Sequence, residues 1–400
     1  MSTADVRGPA PGSTATLRTT NTRRVLDVLR TAGGAPDDTD ATVLTQAELA
    51  RVTGLAPATV SNIIRELGTV GLVTTEPGGG RRGTVVRLSS EAGVVAGVDF
   101  GHSHVAVAIG DLTGRLLHER RGRLPSVHQH EEGLRFADAL LDELLAEAGI
   151  ERSSVRTVGL GLPAPISDRV VRSAAILPGW VGVDAMEACE QTFGVPVCVE
   201  NDANLGALAE HRNGVARGHD SSVFVKISSG VGSGIIIDNQ LFQGNGGAAG
   251  EIGHLTLDEN GPVCRCGSRG CLEAYASVAT ILGMMKAQLP DATLDDVVAA
   301  AHAGNVSAQR SIEDAGRHLG WGLASVVNLL NPALVVVGGD MARAGELLLE
   351  SVRRELRRHV LDAVAGTPVL LSELGERASL VGAVLLAAER TELLELTELD

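Results

Sequence analysis

Apolar positions recur at helical spacing over residues 22–31 (TRRVLDVLRT), where Val25, Leu26, Val28 and Leu29 form one stripe. Thr45 stands three residues before Glu48, a capping-box spacing that predicts a second helix over Gln46–Val52. In TGLAPATVSNIIRELGTVGLV, Gly54 supplies a turn and Pro57 suits the first turn of a helix. Val60, Ile63, Ile64 and Leu67 make the inward face of that helix, leaving Thr59, Ser61, Asn62 and Arg65 on or beside the outward one. Two strand-like runs, Leu72–Glu76 and Thr84–Leu88, flank Pro77-Gly-Gly-Gly-Arg-Arg-Gly83, which predicts a β-hairpin wing with Arg81 and Arg82 at its tip.

From Val94 the pattern turns to strands. VVAGVDFG and HVAVAIGDLTGRLLHERR read as a meander with Asp99 and Gly101 at its first turn, followed by a helix over Leu134–Glu147 and the strand TVGLGLPAPI. A short strand, Pro196–Glu200, runs into Asn201-Asp202-Ala203-Asn204 and a helix. A second set begins at Val223 with FVKIS, the turn Ser229-Gly230-Val231-Gly232, the strand Ser233–Asp238, and later Ala333–Gly339 opening another helix. Two β-rich halves with glycine turns, each followed by helices, predict an α/β fold of two lobes with a cleft between them.

At 400 residues and 44% hydrophobic content the chain has room for two or three domains with ordinary cores. Residues 1–16, rich in Ser, Thr, Pro, Gly and Ala, are expected to form a loose tail, because they bury too little apolar surface to order themselves. No apolar run approaches the ~20 residues of a membrane helix, and the N-terminus lacks a secretory layout, so a cytoplasmic location is expected. The net charge of −15 argues against nucleic acid as a partner for the chain as a whole. It is unevenly spread: residues 1–90 hold ten arginines, no lysine and eight carboxylates, which leaves −17 on the remainder. The N-terminal part can therefore approach phosphate while the rest repels it.

The spacing Ala50…Gly54-Leu55…Thr59-Val60-Ser61 resembles the helix-turn-helix of bacterial repressors, whose second helix enters the major groove. A glycine-flanked arginine pair suits a narrow minor groove. The alternatives are a helical module that packs on another partner and a solvated turn. Helix, turn, helix and basic wing in this order favour a winged helix over residues 17–90 that binds a double-stranded operator.

Cys264, Cys266 and Cys271 crowd into CRCGSRGC, ten residues after His254, in a chain with five cysteines. Three thiolates and an imidazole complete the closed tetrahedral shell of structural Zn²⁺, and Gly267 and Gly270 permit the tight turns the spacing demands. A disulfide would leave one sulfur unpaired and requires an oxidising compartment.

The stretches VENDAN (199–204), GNGGAAGEIGH (244–254) and CRCGSRGCLE (264–273) resemble the ROK family, which groups repressors, open reading frames and kinases of sugars; the similarity runs from about Leu17 to Ala388. Joined to a winged helix, the chain is similar to the repressor branch, of the xylose and N-acetylglucosamine repressor type. The resemblance implies a two-lobed actin-like, hexokinase-like body over residues 91–400, with a small lobe at about 91–198 plus the C-terminal helix and a large lobe at about 199–376. It implies zinc held by His254, Cys264, Cys266 and Cys271, and a small sugar or sugar phosphate contacted by Asn201, Asp202, Glu251, His254 and Glu273. A homodimer or tetramer is expected. Asn201-Asp202 also reads as a helix N-cap, a role compatible with ligand binding.

Asp202 occupies the family's catalytic-base position, so an ATP- and Mg²⁺-dependent hexose or N-acetylhexosamine kinase is the alternative. The phosphate loops depart from the kinase pattern. Asp-x-Gly-Gly-Thr appears as Asp99-Phe100-Gly101-His102-Ser103, and Gly-Thr-Gly as Ser228-Ser229-Gly230. Asp99, Gly101, Ser103, Ser229, Gly230 and Gly232 thus remain as a weak nucleotide site. Ile176 stands where the kinases carry a sugar-contacting Asn. Gly338-Gly339 reads equally as an adenosine-side turn or a plain strand-to-helix turn.

Overall fold

The computed structural model describes residues 14–32, 44–77, 83–172 and 177–394. Arg81, Arg82 and Ile176 lie outside the described residues, as do residues 1–13 of the expected tail. Helix α1 (Thr14–Ala32) starts inside that tail: residues 14–16 are helical, a correction that follows from one continuous helix carrying the Val25–Leu29 stripe.

The N-terminal domain is α1, β1 (Leu44–Thr45), α2 (Gln46–Thr53), α3 (Pro57–Thr69), β2 (Val73–Glu76) and β3 (Val85–Leu88), its strands ordered β1-β3-β2. Thr45 accepts from the Glu48 amide at 3.2 Å while the Glu48 carboxylate accepts from the Thr45 amide at 2.8 Å, closing the capping box. Gly54 ends α2 in the left-handed region at φ 69°, and Pro57 opens α3. Val60, Ile63, Ile64 and Leu67 are buried; Ser61, Asn62 and Arg65 are exposed and Thr59 is half-buried, so α3 presents a polar face to solvent. Antiparallel β2 and β3 form the wing.

The small lobe is built on β4 (Val94–Phe100), β5 (His104–Asp111), β6 (Leu116–Arg123), β7 (Val155–Leu162) and β10 (Val197–Asn201), in the order β10-β7-β4-β5-β6. Helices α4 (His130–Ala148) and α5 (Ala185–Phe193) cover one face, and the short pair β8 (Ile166–Ser167) and β9 (Val170–Val171) lies between β7 and α5 in sequence. Helix α4 begins a turn before the expected Leu134, with Glu131 and Glu132 favouring its positive N-terminal end.

The large lobe repeats the plan. α6 (Asp202–Asn213) precedes β11 (Ser222–Ile227), β12 (Val231–Ile237) and β13 (Gln240–Leu241); helices α7 (Glu273–Ala276), α8 (Val278–Met285), α9 (Leu294–His302) and α10 (Val306–Leu330) follow; then come β14 (Leu334–Gly338), α11 (Glu346–His359) and β15 (Val369–Leu371). Its sheet runs β13-β12-β11-β14-β15, with β11-β14-β15 parallel as β10-β7-β4 are in the other. The chain does not pass directly into a helix after Gly339: a single 3-10 turn, Asp340–Ala344, and Gly345 come first.

The last helix, α12 (Ala378–Arg390), returns to the small lobe and is buried along most of its length. Glycine lets it lie almost on the backbone of its neighbours: a Cβ at Gly159 would stand 2.0 Å from the Ala383 carbonyl oxygen, and one at Gly382 2.0 Å from that of Leu205. One apolar cluster joins Val25, Leu26 and Leu29 of α1 with Val95 and Ala108 of the small lobe, Val384 and Ala387 of α12, and Leu393. The apolar residues of Ala383–Leu393 therefore close the small lobe and seat the N-terminal domain within the chain. Arg30 donates to the carbonyls of Glu389 at 2.7 Å and Thr391 at 2.9 Å, and Arg23 pairs with Glu392 at 3.3 Å. No helix of the described residues is long and apolar enough to cross a membrane.

Candidate functional site

A cleft of about 810 Å³ opens between the lobes. It gathers Asn201, Asp202, Glu251, His254 and Glu273, together with Asp99, Gly101, Ser103, Ser229, Gly230 and Gly232. Asn201 ends β10 and caps α6: its Oδ1 accepts from the amides of Ala203 at 2.9 Å and Asn204 at 3.2 Å, and its Nδ2 donates to the Ala164 carbonyl. The cap turns the chain so that Asp202, the first residue of α6, faces the cleft.

Asp202 is buried and accepts a 2.8 Å bond from Lys226 Nζ, which also donates to Ser379 Oγ at 2.9 Å; that hydroxyl in turn donates to the Asp202 backbone carbonyl at 2.8 Å. Asp99, at the end of β4, is buried and also lines the cleft, and its Oδ1 has no hydrogen-bond partner among the described residues. Burial raises the pKa of both aspartates, with Lys226 opposing it. Burial works against the Lys226 ammonium too, but the charges of Asp202 and Asp99 outweigh it, so its pKa is raised and the amine stays charged.

Glu251 opens the 3-10 turn that carries His254. Its pKa is raised by burial, His254 opposing and Asp202 and Glu273 adding to the rise. Glu273 has both oxygens engaged: Oε2 accepts from the Val231 amide at 3.1 Å and Oε1 from Arg265 Nε at 2.8 Å. Arg265 also donates to the Ser229 carbonyl. Glu273 and Arg265 thus tie the cysteine loop to the turn before β12.

The ligand atoms of His254, Cys264, Cys266 and Cys271 all lie within 4.8 Å of one another. Cys266 and Cys271 sulfurs are 3.8 Å apart, and the Cys264 sulfur is 3.8 Å from His254 Nδ1. A tetrahedron with metal–sulfur bonds of ~2.3 Å has edges of roughly 3.8 Å, so the set fits a metal ion of zinc's preferences. With Nδ1 turned to the sulfurs, His254 Nε2 faces the cleft, 3.9 Å from Glu251 Oε2. Gly267 and Gly270 have φ of 92° and 63°, and a Cβ at Gly270 would collide with the Asp258 carbonyl.

At the first turn of the small lobe the His104 ring lies over Gly101, where an added Cβ would meet it at 2.1 Å. His104 Nε2 accepts from Arg121 at 3.0 Å, and burial, with the charges of Arg121 and Lys226, lowers its pKa to about 4. Arg121 pairs with Glu376 at 2.7 Å; Glu376 pairs with Arg343, which also holds Asp295 and Asp340. Lys226, His104, Arg121, Arg265 and Arg343 are cleft residues that the sequence reading did not single out. Lys226 left a trace: it is one of two lysines in the chain and interrupts the apolar run from Val223 to Ile227. Of the arginines, Arg121 comes from β6, Arg343 from the 3-10 turn after β14 and Arg265 from the cysteine loop, and none left such a mark.

A family profile described as ROK family matches residues 95–390, and one described as MarR family matches residues 19–83. The chain is 30% identical over 346 residues to the xylose repressor of Bacillus subtilis, covering 85% of this chain and 89% of that protein. It is 31% identical over 355 residues to the DNA-binding transcriptional dual regulator NagC of Escherichia coli, covering 84% and 87%. Among solved structures, a ROK family transcriptional regulator that is a homologue of the E. coli MLC protein superposes with a TM-score of 0.76 at 25% identity, covering 95% of this chain and 99% of that one. A ROK family glucokinase from Streptomyces griseus, in complex with glucose and AMPPNP, superposes with a TM-score of 0.65 at 32% identity, covering 74% and 100%. With the ROK family profile matching about three quarters of its length and a repressor relative 30% identical over 85% of it, the chain belongs to the ROK family.

Proposed function

We propose that the protein is a sugar-responsive, DNA-binding transcriptional repressor controlling carbohydrate genes. The observation that carries the reading is the union, in one chain, of an N-terminal domain with an exposed polar recognition helix and a cleft walled by Asp202, Glu251 and His254. Carboxylates and an imidazole N–H satisfy sugar hydroxyls in both senses, each bond contributing about 1 kcal/mol net and more when charged.

Helix α12 supplies the route between the two. Ser379 in its first turn bonds to Lys226 and Asp202, and the carbonyls of Glu389 and Thr391 at its other end hold Arg30. A ligand hydroxyl competing for Asp202 alters the bonds of Ser379, and α12 carries the change to α1. The ligand releases DNA only to the extent that it binds one arrangement better than the other. Thr59, Ser61, Asn62 and Arg65 read the operator, joined by Arg81 and Arg82, which stand between β2 and β3 in sequence. His254, Cys264, Cys266 and Cys271 would hold a structural zinc ion, which would fix Glu251 and Glu273 at the cleft wall, and the protein acts in the cytoplasm as a homodimer or tetramer, matching two half-sites.

A mobility-shift titration on the promoter beside its own gene, with a panel of monosaccharides and sugar phosphates, tests the proposal. A DNA complex dissolved by one of them supports it; no complex at low salt defeats it. The kinase alternative rests on Asp202 and predicts ADP release that Asp202→Asn abolishes.

A further inference from the structure

Enzymes that transfer phosphoryl groups hold divalent cations on carboxylates beside the nucleotide phosphates. The cleft has such a pair in Asp99 and Asp202, and their surroundings are already furnished with a cation. Lys226 reaches in from β11 and bonds to Asp202 Oδ2 at 2.8 Å, while Ser379 fixes its ammonium from the other side at 2.9 Å. Asp99 is 4% exposed and lines the same cavity, and its buried Oδ1 has no hydrogen-bond partner among the described residues. The charges of both aspartates act on the Lys226 ammonium. Next to them, the His104 ring covers Gly101, the turn where backbone amides would otherwise meet phosphate oxygens.

We propose that Lys226 is a tethered cation standing in the place of a divalent metal. It is a specificity-determining residue that closes the Asp99–Asp202 pair to a metal–nucleotide and leaves Asp202 to accept bonds from an uncharged ligand's hydroxyls. Coulomb's law supplies the reason: a fixed positive charge under 3 Å from one carboxylate repels a second cation at the site it already satisfies. A neutral hydroxyl meets no such repulsion and can share the free lone pairs of Asp202. Lys226 thereby sets which cations the cleft admits, whether or not its ligand is a sugar.

The test is a Mn²⁺ titration of the zinc-loaded, full-length protein, with free Mn²⁺ read by electron paramagnetic resonance. Lys226→Met keeps the stem and removes the charge; it is expected to bind Mn²⁺ at least tenfold more tightly than wild type. Adding Asp99→Asn to it should reverse the gain, and Lys226→Arg, which keeps the charge, should show none. Wild type binding Mn²⁺ as tightly as folded Lys226→Met overturns the proposal, as does a gain that survives Asp99→Asn. Should Lys226→Met fail to fold, wild type with ¹³Cε-lysine gives two side-chain signals, one from exposed Lys286. Mn²⁺ is expected to leave the Lys226 signal sharp, and selective broadening of that signal refutes the assignment.

Discussion

Arg30→Ala isolates the joint between the two functional halves. The guanidinium donates two bonds, 2.7 and 2.9 Å, to the last carbonyls of α12 and the residue after it. Each charge-assisted bond is worth about 1.5 kcal/mol or more, and part of the side chain is open to water, so roughly 2 kcal/mol is lost at the joint. That is about a thirtyfold shift in a docking equilibrium. Coupling between sites is typically 1–3 kcal/mol, so the loss is of the size of the whole signal. Alanine favours the helix, and Val25, Leu26 and Leu29 keep their packing, so α1 should stay folded. Fluorescence anisotropy on labelled operator, with and without the inducing sugar, reads the result. Operator and sugar should each bind Arg30→Ala within a fewfold of wild type, while the sugar's effect on operator affinity falls tenfold or more. An undiminished sugar effect would show that α12 and Arg30 are not the route.

Other expectations are independent of that joint. Cys266→Ser should cost the bound zinc and lower the melting temperature by well over 5 °C, since structural metal binding is itself folding energy; full zinc occupancy by elemental analysis contradicts it. Glu251→Gln should keep operator affinity yet weaken sugar binding at least tenfold by calorimetry, and an unchanged sugar affinity removes Glu251 from the site. His104, held near pKa 4 against about 6.5 when unfolded, costs stability as pH falls from 6.5 towards 4, because the unfolded chain takes the proton first. His104→Gln should therefore lose less melting temperature than wild type between pH 7 and 4.5, and an equal loss refutes the burial argument.

Where local chemistry decides structure, the sequence was legible. Thr45 with Glu48, Gly54 and Pro57 place both ends of α2 and the start of α3 within a residue, because caps and turn residues act on their own neighbours. The clustering of His254, Cys264, Cys266 and Cys271 follows from the same local logic: they stand close in sequence, and their donor atoms lie within 4.8 Å of one another. Helix α4 began earlier than its apolar stripe suggested, since His130–Glu132 are helical without contributing to that stripe. What hydropathy does not encode is long-range pairing. Lys226 and Asp202 are brought together by two separate strands and a helix start, and Ser379 reaches them from far along the chain. The Arg121–Glu376–Arg343 chain likewise depends on the return of α12 to the small lobe, which periodicity cannot place.

Reciprocity offers the most direct measurement of the central claim that cleft and recognition helix share one equilibrium. The sugar's dissociation constant is determined by calorimetry on the free protein and on its saturated operator complex, and the operator's constant is determined with and without sugar. Sugar binding to the complex is predicted to be weaker by tenfold or more, by the same factor as the sugar weakens operator binding. Equal sugar affinities for the free and DNA-bound protein would contradict the account.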